Sequence, residues 1–259
     1  MDAETFSPEW PATRDVLQRV ATHVLAQARQ RRDGLFDLEP SPGGFATPQV
    51  GPDRERIRLS GDSLVVERIT GADVFTSEAS TEVHAVTGST VGDLCAALGF
   101  EPDPDFWVGG DTPPLGAPDA PLHYDTTAAR ALGDWFSTGR AAIDVALADA
   151  AAHHDPQAAV GRLWPEHFDY GLDLAVTPTS RCNLGAAAGD SFHPQPYLYV
   201  GPWEVSWERG AGPGDPAYWN APFGAVVPAA DIALASDPID AAARFLTRGL
   251  EYLRSAPPE

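Results

Sequence analysis

Lysine is absent from this 259-residue sequence: all 17 basic residues are arginine, set against 37 Asp and Glu. Without lysine there is no G-x-x-x-x-G-K-[ST] nucleotide loop, whose lysine reaches the phosphates. A Schiff-base lysine is excluded too, and with it covalent attachment of pyridoxal phosphate. Cysteine is scarce: Cys95 and Cys182 form neither a disulfide framework nor a C-x-x-C pair. Cys95 falls on the apolar face of a helix and reads as a core residue. The net charge of −20 repels a phosphate backbone, so no nucleic-acid partner is expected. Self-repulsion that favours solubility explains the acidity, and salt adaptation would give the same balance. No run approaches the roughly 20 apolar residues of a membrane span, so no membrane partner is expected. Residues 1–10 lack a basic stretch followed by an apolar run, which predicts no secretory leader and a cytoplasmic location. A G-x-S-x-G elbow, an H-E-x-x-H pair and a G-x-G-x-x-G turn after a strand are missing as well.

The apolar fraction of 43% is ample for a packed core. Val16, Leu17, Val20, Val24 and Leu25 recur at helical spacing and predict a helix over 13–32, ended by Asp33-Gly34. Ile57 and Leu59 alternate with charges, Gly61-Asp62 turns the chain, and residues 64–69 return as a hairpin. A short strand is expected over 82–86. Thr90 and Asp93 have capping-box spacing before a helix ended by Gly99. A loop rich in Pro, Gly and Asp covers 101–122, a length that usually signals function or mobility. A long helix is expected from 125 or 126 to about 153, and a short one after Asp155-Pro156. Strands dominate 168–227, and a last helix covers 237–255. This order predicts an α+β fold: antiparallel sheets with several packed helices, loop-rich, in one domain over 1–259 with a weak subdivision near 101–122.

Candidate chemistry concentrates in two places. If residues 167–176 are extended, Phe168, Tyr170, Leu172, Leu174 and Val176 share one face, and His167, Asp169 and Asp173 share the other. A histidine and two carboxylates side by side could move a proton or hold a divalent metal. The same alternation also describes a plain solvent-facing half-strand. Further on, Asp190 and His193 precede Tyr197, Tyr199, Trp203 and Trp207, which share a face in an extended chain. Aromatics with polar tips suit the wall of a ligand pocket and equally suit a core or an interface. His-aromatic-Asp occurs twice, at His123-Tyr124-Asp125 and His167-Phe168-Asp169, but is a weak iron-site signal, because Asp125 also fits a helix N-cap. His153-His154 fits the end of a helix.

Tyr124-Asp125, Trp164-Pro165, His167-Phe168-Asp169, Asp190 and Pro196-Tyr197-Leu198-Tyr199 together resemble the landmarks of a bacterial family. That family is defined only as a domain of unknown function and is frequent in actinomycete-like genomes. The resemblance spans roughly residues 122–203 and implies that these landmarks belong to one recurring site or core. It implies no activity.

The function expected from these residues is a small-molecule enzyme or ligand-binding protein, metal-assisted if a donor set forms. Its catalytic residues would be His167, Asp169 and Asp173, with Asp190, His193, Tyr197, Tyr199 and Trp203 binding the ligand. Loops 101–122 and 208–222 would serve as lids. The alternative is a non-catalytic interaction protein whose aromatic strand makes a contact between copies, as in a homo-oligomer.

Overall fold

The first helical stretch shows how local pattern becomes architecture. The computed structural model describes residues 6, 8–71, 76–151, 160–203, 210 and 212–255. In it α1 (Trp10–Val20) opens with Pro11 in its first turn, where a missing N–H costs nothing. A π-helical turn over Ala21–Ala26 follows, then α2 (Gln27–Asp33), which Gly34 ends in the left-handed region at φ 80°. Leu17, Val20, Val24 and Leu25 are all buried, so the spacing that predicted the helix is its core-facing side. The widened turn also buries Thr22 and His23, polar residues that no apolar pattern announces.

The chain divides into two compact units, Ser7–Asp134 with Leu163–Phe168 and Met1–Phe6 with Trp135–Arg162 and Asp169–Glu259. The first contains a consecutive antiparallel meander: β1 (Glu39–Ser41), β2 (Gly44–Ala46), β3 (Arg56–Ser60), β4 (Ser63–Thr70) and β5 (Glu78–Ala85). The predicted hairpin is β3–β4, with Ile57 facing Val66 and Leu59 facing Leu64. Against the π-helical turn packs α3 (Val91–Ala97), whose Cys95 Sγ lies 3.4 Å from His23 O. Its capping box is present: Thr90 Oγ1 accepts from Asp93 N, and Asp93 Oδ2 accepts from Thr90 N, both at 3.0 Å.

Residues 101–122 lack regular structure but are fastened down. Arg19 donates to the Leu115 and Ala117 carbonyls, and His23 Nε2 meets Pro113 O at 2.8 Å. Gln27 accepts from Asp103 N. One polar side of the first helical stretch thus satisfies backbone groups along the loop, an arrangement suited to a fixed wall rather than a lid.

The second unit carries most of α4 (Thr126–Ala151) and an antiparallel sheet. Its strands in sheet order are β10 (Ala225–Pro228), β9 (Tyr197–Pro202), β8 (Ser180–Ala187) and β7 (Asp169–Thr177), while β6 (Arg162–Trp164) falls at the boundary between the residues of the two units. Short α5 (Ala229–Ala233) and amphipathic α6 (Pro238–Ser255) follow β10. Leu172, Leu184 and Val200 form one buried cross-strand row. On that face α6 packs through Gly249, where a Cβ would come within 3.0 Å of Val200, and α4 through Gly139, where one would come within 2.4 Å of Ala186. Two antiparallel sheets and their helices make the fold α+β, as the order of elements predicts. No helix among the described residues is long and apolar enough to cross a membrane. Trp207, His153, His154 and the short helix expected after Asp155 lie outside the described residues.

Candidate functional site

The strand expected from residue 167 begins at Asp169, because residues 165–168 form a turn. Pro165 starts it, Phe168 N donates to Trp164 O at 2.7 Å, and Phe168 closes it at φ +53°. A left-handed φ on a bulky residue costs about 1–2 kcal/mol. The Phe168 ring is buried edge-on against Phe45, 5.6 Å between centroids, which offsets that cost. The reversal removes the alternation that would set His167 beside Asp169. His167 is exposed, and its Nδ1 lies 2.9 Å from Asp111 Oδ2, in the loop 101–122. Its buried neighbour Glu166 packs on Gly109, and Gln18 donates to the Glu166 carbonyl at 2.7 Å.

Once β7 begins, alternation holds. Asp169, Gly171 and Asp173 lie on the face opposite the one that carries Leu172, and β8 and β9 continue that face with Gly185, Ala187, Tyr197 and Tyr199. Gly171 pairs with Gly185, and Gly185 pairs with Tyr199. A Cβ at Gly185 would stand 2.4 Å from Tyr199 Cζ and Oη, and one at Gly171 2.9 Å from Oη. The tyrosine ring therefore lies across two strands that have no side chains beneath it, and its hydroxyl donates to Asp169 Oδ2 in a short hydrogen bond. Asp169 is only 7% exposed. Burial, and then the Asp169 charge and hydrogen bond, raise the Tyr199 phenol well above its ordinary value. Tyr199 is thus a proton-bearing donor throughout the physiological range.

The neighbouring pair repeats the chemistry. Tyr197 donates to Asp190 Oδ2 at 2.7 Å, and burial followed by that bond raises its pKa as well. Asp190 Oδ1 accepts from the N–H groups of Phe192 and His193 at 2.8 and 2.9 Å, so this carboxylate also shapes the β8–β9 connection. The ring centroids of His193 and Tyr197 are 5.7 Å apart, and those of Tyr197 and Tyr199 6.2 Å. His193, Tyr197, Tyr199 and Asp169 therefore form one contiguous group, with Asp190 attached.

Asp173 and Trp203 lie farther along the same face. Arg181 Nε donates to both carboxylate oxygens of Asp173 at 3.0 Å. Its guanidinium carbon lies 5.6 Å from the centre of the Trp203 ring, and Trp203 Nε1 donates to Asn183 Oδ1 at 2.7 Å. Asp173 is therefore neutralised by a neighbour. Among the described residues no group of three or more His, Cys, Asp or Glu is arranged to hold a metal ion, which leaves the metal-assisted version without a donor set there.

Sequence reading overlooked Asp111, Gly171, Gly185, Arg181 and Asn183. The two glycines had a signal: glycine inside a strand marks a close approach by something else. Asp111, Arg181 and Asn183 had none, since their partners are distant in sequence or lie on neighbouring strands. The chain matches no family model, no curated protein and no solved structure.

Proposed function

We propose that this protein is a small-molecule enzyme or ligand-binding protein, and that the polar face of β7–β9 around Asp169 and Tyr199 receives the ligand. The observation that carries the reading is the buried carboxylate of Asp169 under a tyrosine laid over two glycines. Removing a carboxylate from water costs several kcal/mol unless partners compensate, and each strand glycine costs a further ~0.5–1 kcal/mol relative to alanine. A leucine at the Asp169 position would make a cheaper sheet. Costly polar groups of this kind concentrate where chemistry or recognition requires them.

On this reading Asp169 is the hydrogen-bond and proton acceptor, and Tyr199 is the donor that orients it. Tyr197, held by Asp190, supplies a second oriented hydroxyl, and His193 borders it. The set suits a polar molecule bearing hydroxyl or amine groups, which would offer a donor to Asp169 and accept from the phenols. Neither His167 nor Asp173 belongs to this proton-handling group, because each is held by a partner of its own.

The test is a thermal-shift screen of small polar metabolites against wild-type protein, Asp169→Asn and Tyr199→Phe. The expected result is a wild-type hit that both variants lose while still unfolding cooperatively. A hit that survives in both would overturn the reading.

A further inference from the structure

Trp203 is 56% exposed, yet it is held in place. An exposed indole ordinarily keeps its rotamer freedom, and fixing it costs conformational entropy. Here its backbone N–H donates to Arg181 O at 3.0 Å, its Nε1 donates to Asn183, and the Arg181 guanidinium covers part of one ring face. Arg181 is itself fixed by three hydrogen bonds to Asp173, two from Nε and one from Nη2. Asp173, Asn183 and Gly201 form one cross-strand row beside the indole, and Gly201 leaves that part of the sheet without a side chain. A flat apolar plate is thus immobilised next to an amide and a carboxylate, its ordering entropy spent before any partner arrives.

The surrounding charge narrows what could stack there. Among the described residues the cation at the plate is Arg181, already engaged by Asp173, so a phosphate or carboxylate ligand would find no free counter-ion among them. The net charge of −20 repels anions further. A cationic ligand would meet the guanidinium. A neutral planar aromatic would prefer apolar walls, whereas these walls are polar. A neutral sugar ring fits each condition: its C–H face stacks on the indole, and its hydroxyls bond the Asn183 amide and the outer lone pairs of Asp173.

We propose that Trp203, with Arg181, Asn183 and Asp173, is a stacking subsite for a neutral saccharide. It deepens the reading above and rests on it, since Asp173 and Asp169 lie four residues apart on the same face of β7, about 13 Å at strand spacing. An elongated saccharide would reach from the Trp203 plate to the Asp169–Tyr199 pair.

The test is ligand-observed NMR with glucose, galactose, maltose and cellobiose, alongside glucuronate and glucose 6-phosphate as anionic controls. Neutral sugars should bind and the anionic ones should not. Trp203→Ala should weaken binding at least about tenfold, one decade of affinity, and Trp203→Tyr, which keeps a ring, should retain part of it. A wild-type protein silent to every neutral sugar overturns the inference. So does binding that Trp203→Ala leaves intact, or a dimer in light scattering that this variant breaks. Sugar binding lost in Trp203→Ala but kept in Asp169→Asn would support the subsite and sink the Asp169 reading. Screen hits of another class, lost in Asp169→Asn while sugars stay silent, would do the reverse.

Discussion

Replacing Gly185 with alanine puts a methyl group where the Tyr199 ring now lies. Gly185 has no positive φ, so its backbone accepts alanine and the overlap with the ring is the dominant cost. The added Cβ would stand 2.4 Å from Cζ and Oη, about 1 Å inside ordinary carbon contact. The ring must lift by roughly that amount, which pulls its hydroxyl off Asp169 Oδ2. A hydrogen bond to a charged group contributes about 1.5–3 kcal/mol, and alanine in a strand recovers about 0.5–1 kcal/mol over glycine. The expected net loss is therefore about 1–2 kcal/mol, read as a lower urea midpoint at unchanged slope by circular dichroism. The same substitution in a Tyr199→Leu background should be neutral or stabilising, since nothing then lies over the glycine. If Gly185→Ala alone matches wild type, or costs the same in both backgrounds, the account of the overlying tyrosine is wrong.

Two further outcomes follow from buried groups in the described residues. Burial lowers the pKa of His23, against the raising pull of the Pro113 carbonyl, and Arg19 adds to the lowering. The unfolded chain therefore takes up this proton before the folded one does. Stability should be intact above the ordinary value of 6.5 and fall as the pH drops below it, by at most about 1.4 kcal/mol per pH unit for one proton. Urea midpoints from pH 7.5 to 5 should show a slope that His23→Gln flattens, and parallel slopes would refute it. Burial also pushes the Cys95 thiol up to about 12, and Cys182 is fully buried. Ellman's reagent at pH 8 should find neither thiol in native protein and both after denaturation, and rapid labelling of native protein would contradict this burial.

Much of the fold was legible because local rules govern it. The apolar spacing in the first helix, the Thr90–Asp93 capping box and the Ile57/Leu59 alternation each name an element from neighbours within about four residues. The candidate site was legible in part. Tyr197 and Tyr199 share the face carrying Asp169, as alternation requires, but the expected strand ran two residues too far back. The reversal at Phe168 depends on a left-handed residue whose cost is met by packing on Phe45, more than a hundred positions away. No local pattern encodes that compensation.

The chain's chemistry was bounded by its composition: lacking lysine, it can build neither a P-loop nor a Schiff base, because these limits follow from which atoms are present. Period and capping likewise marked out its helices and strands, since those signals act over a turn or a pleat. Which groups meet was left to strand register and long-range packing. Gly171, Gly185 and Tyr199 became one structure because three strands align them, and His167 went to Asp111 because a turn reversed the chain. A hydrogen bond between residues 30 or 56 positions apart depends on the whole path of the backbone between them, and no short window of sequence contains that path.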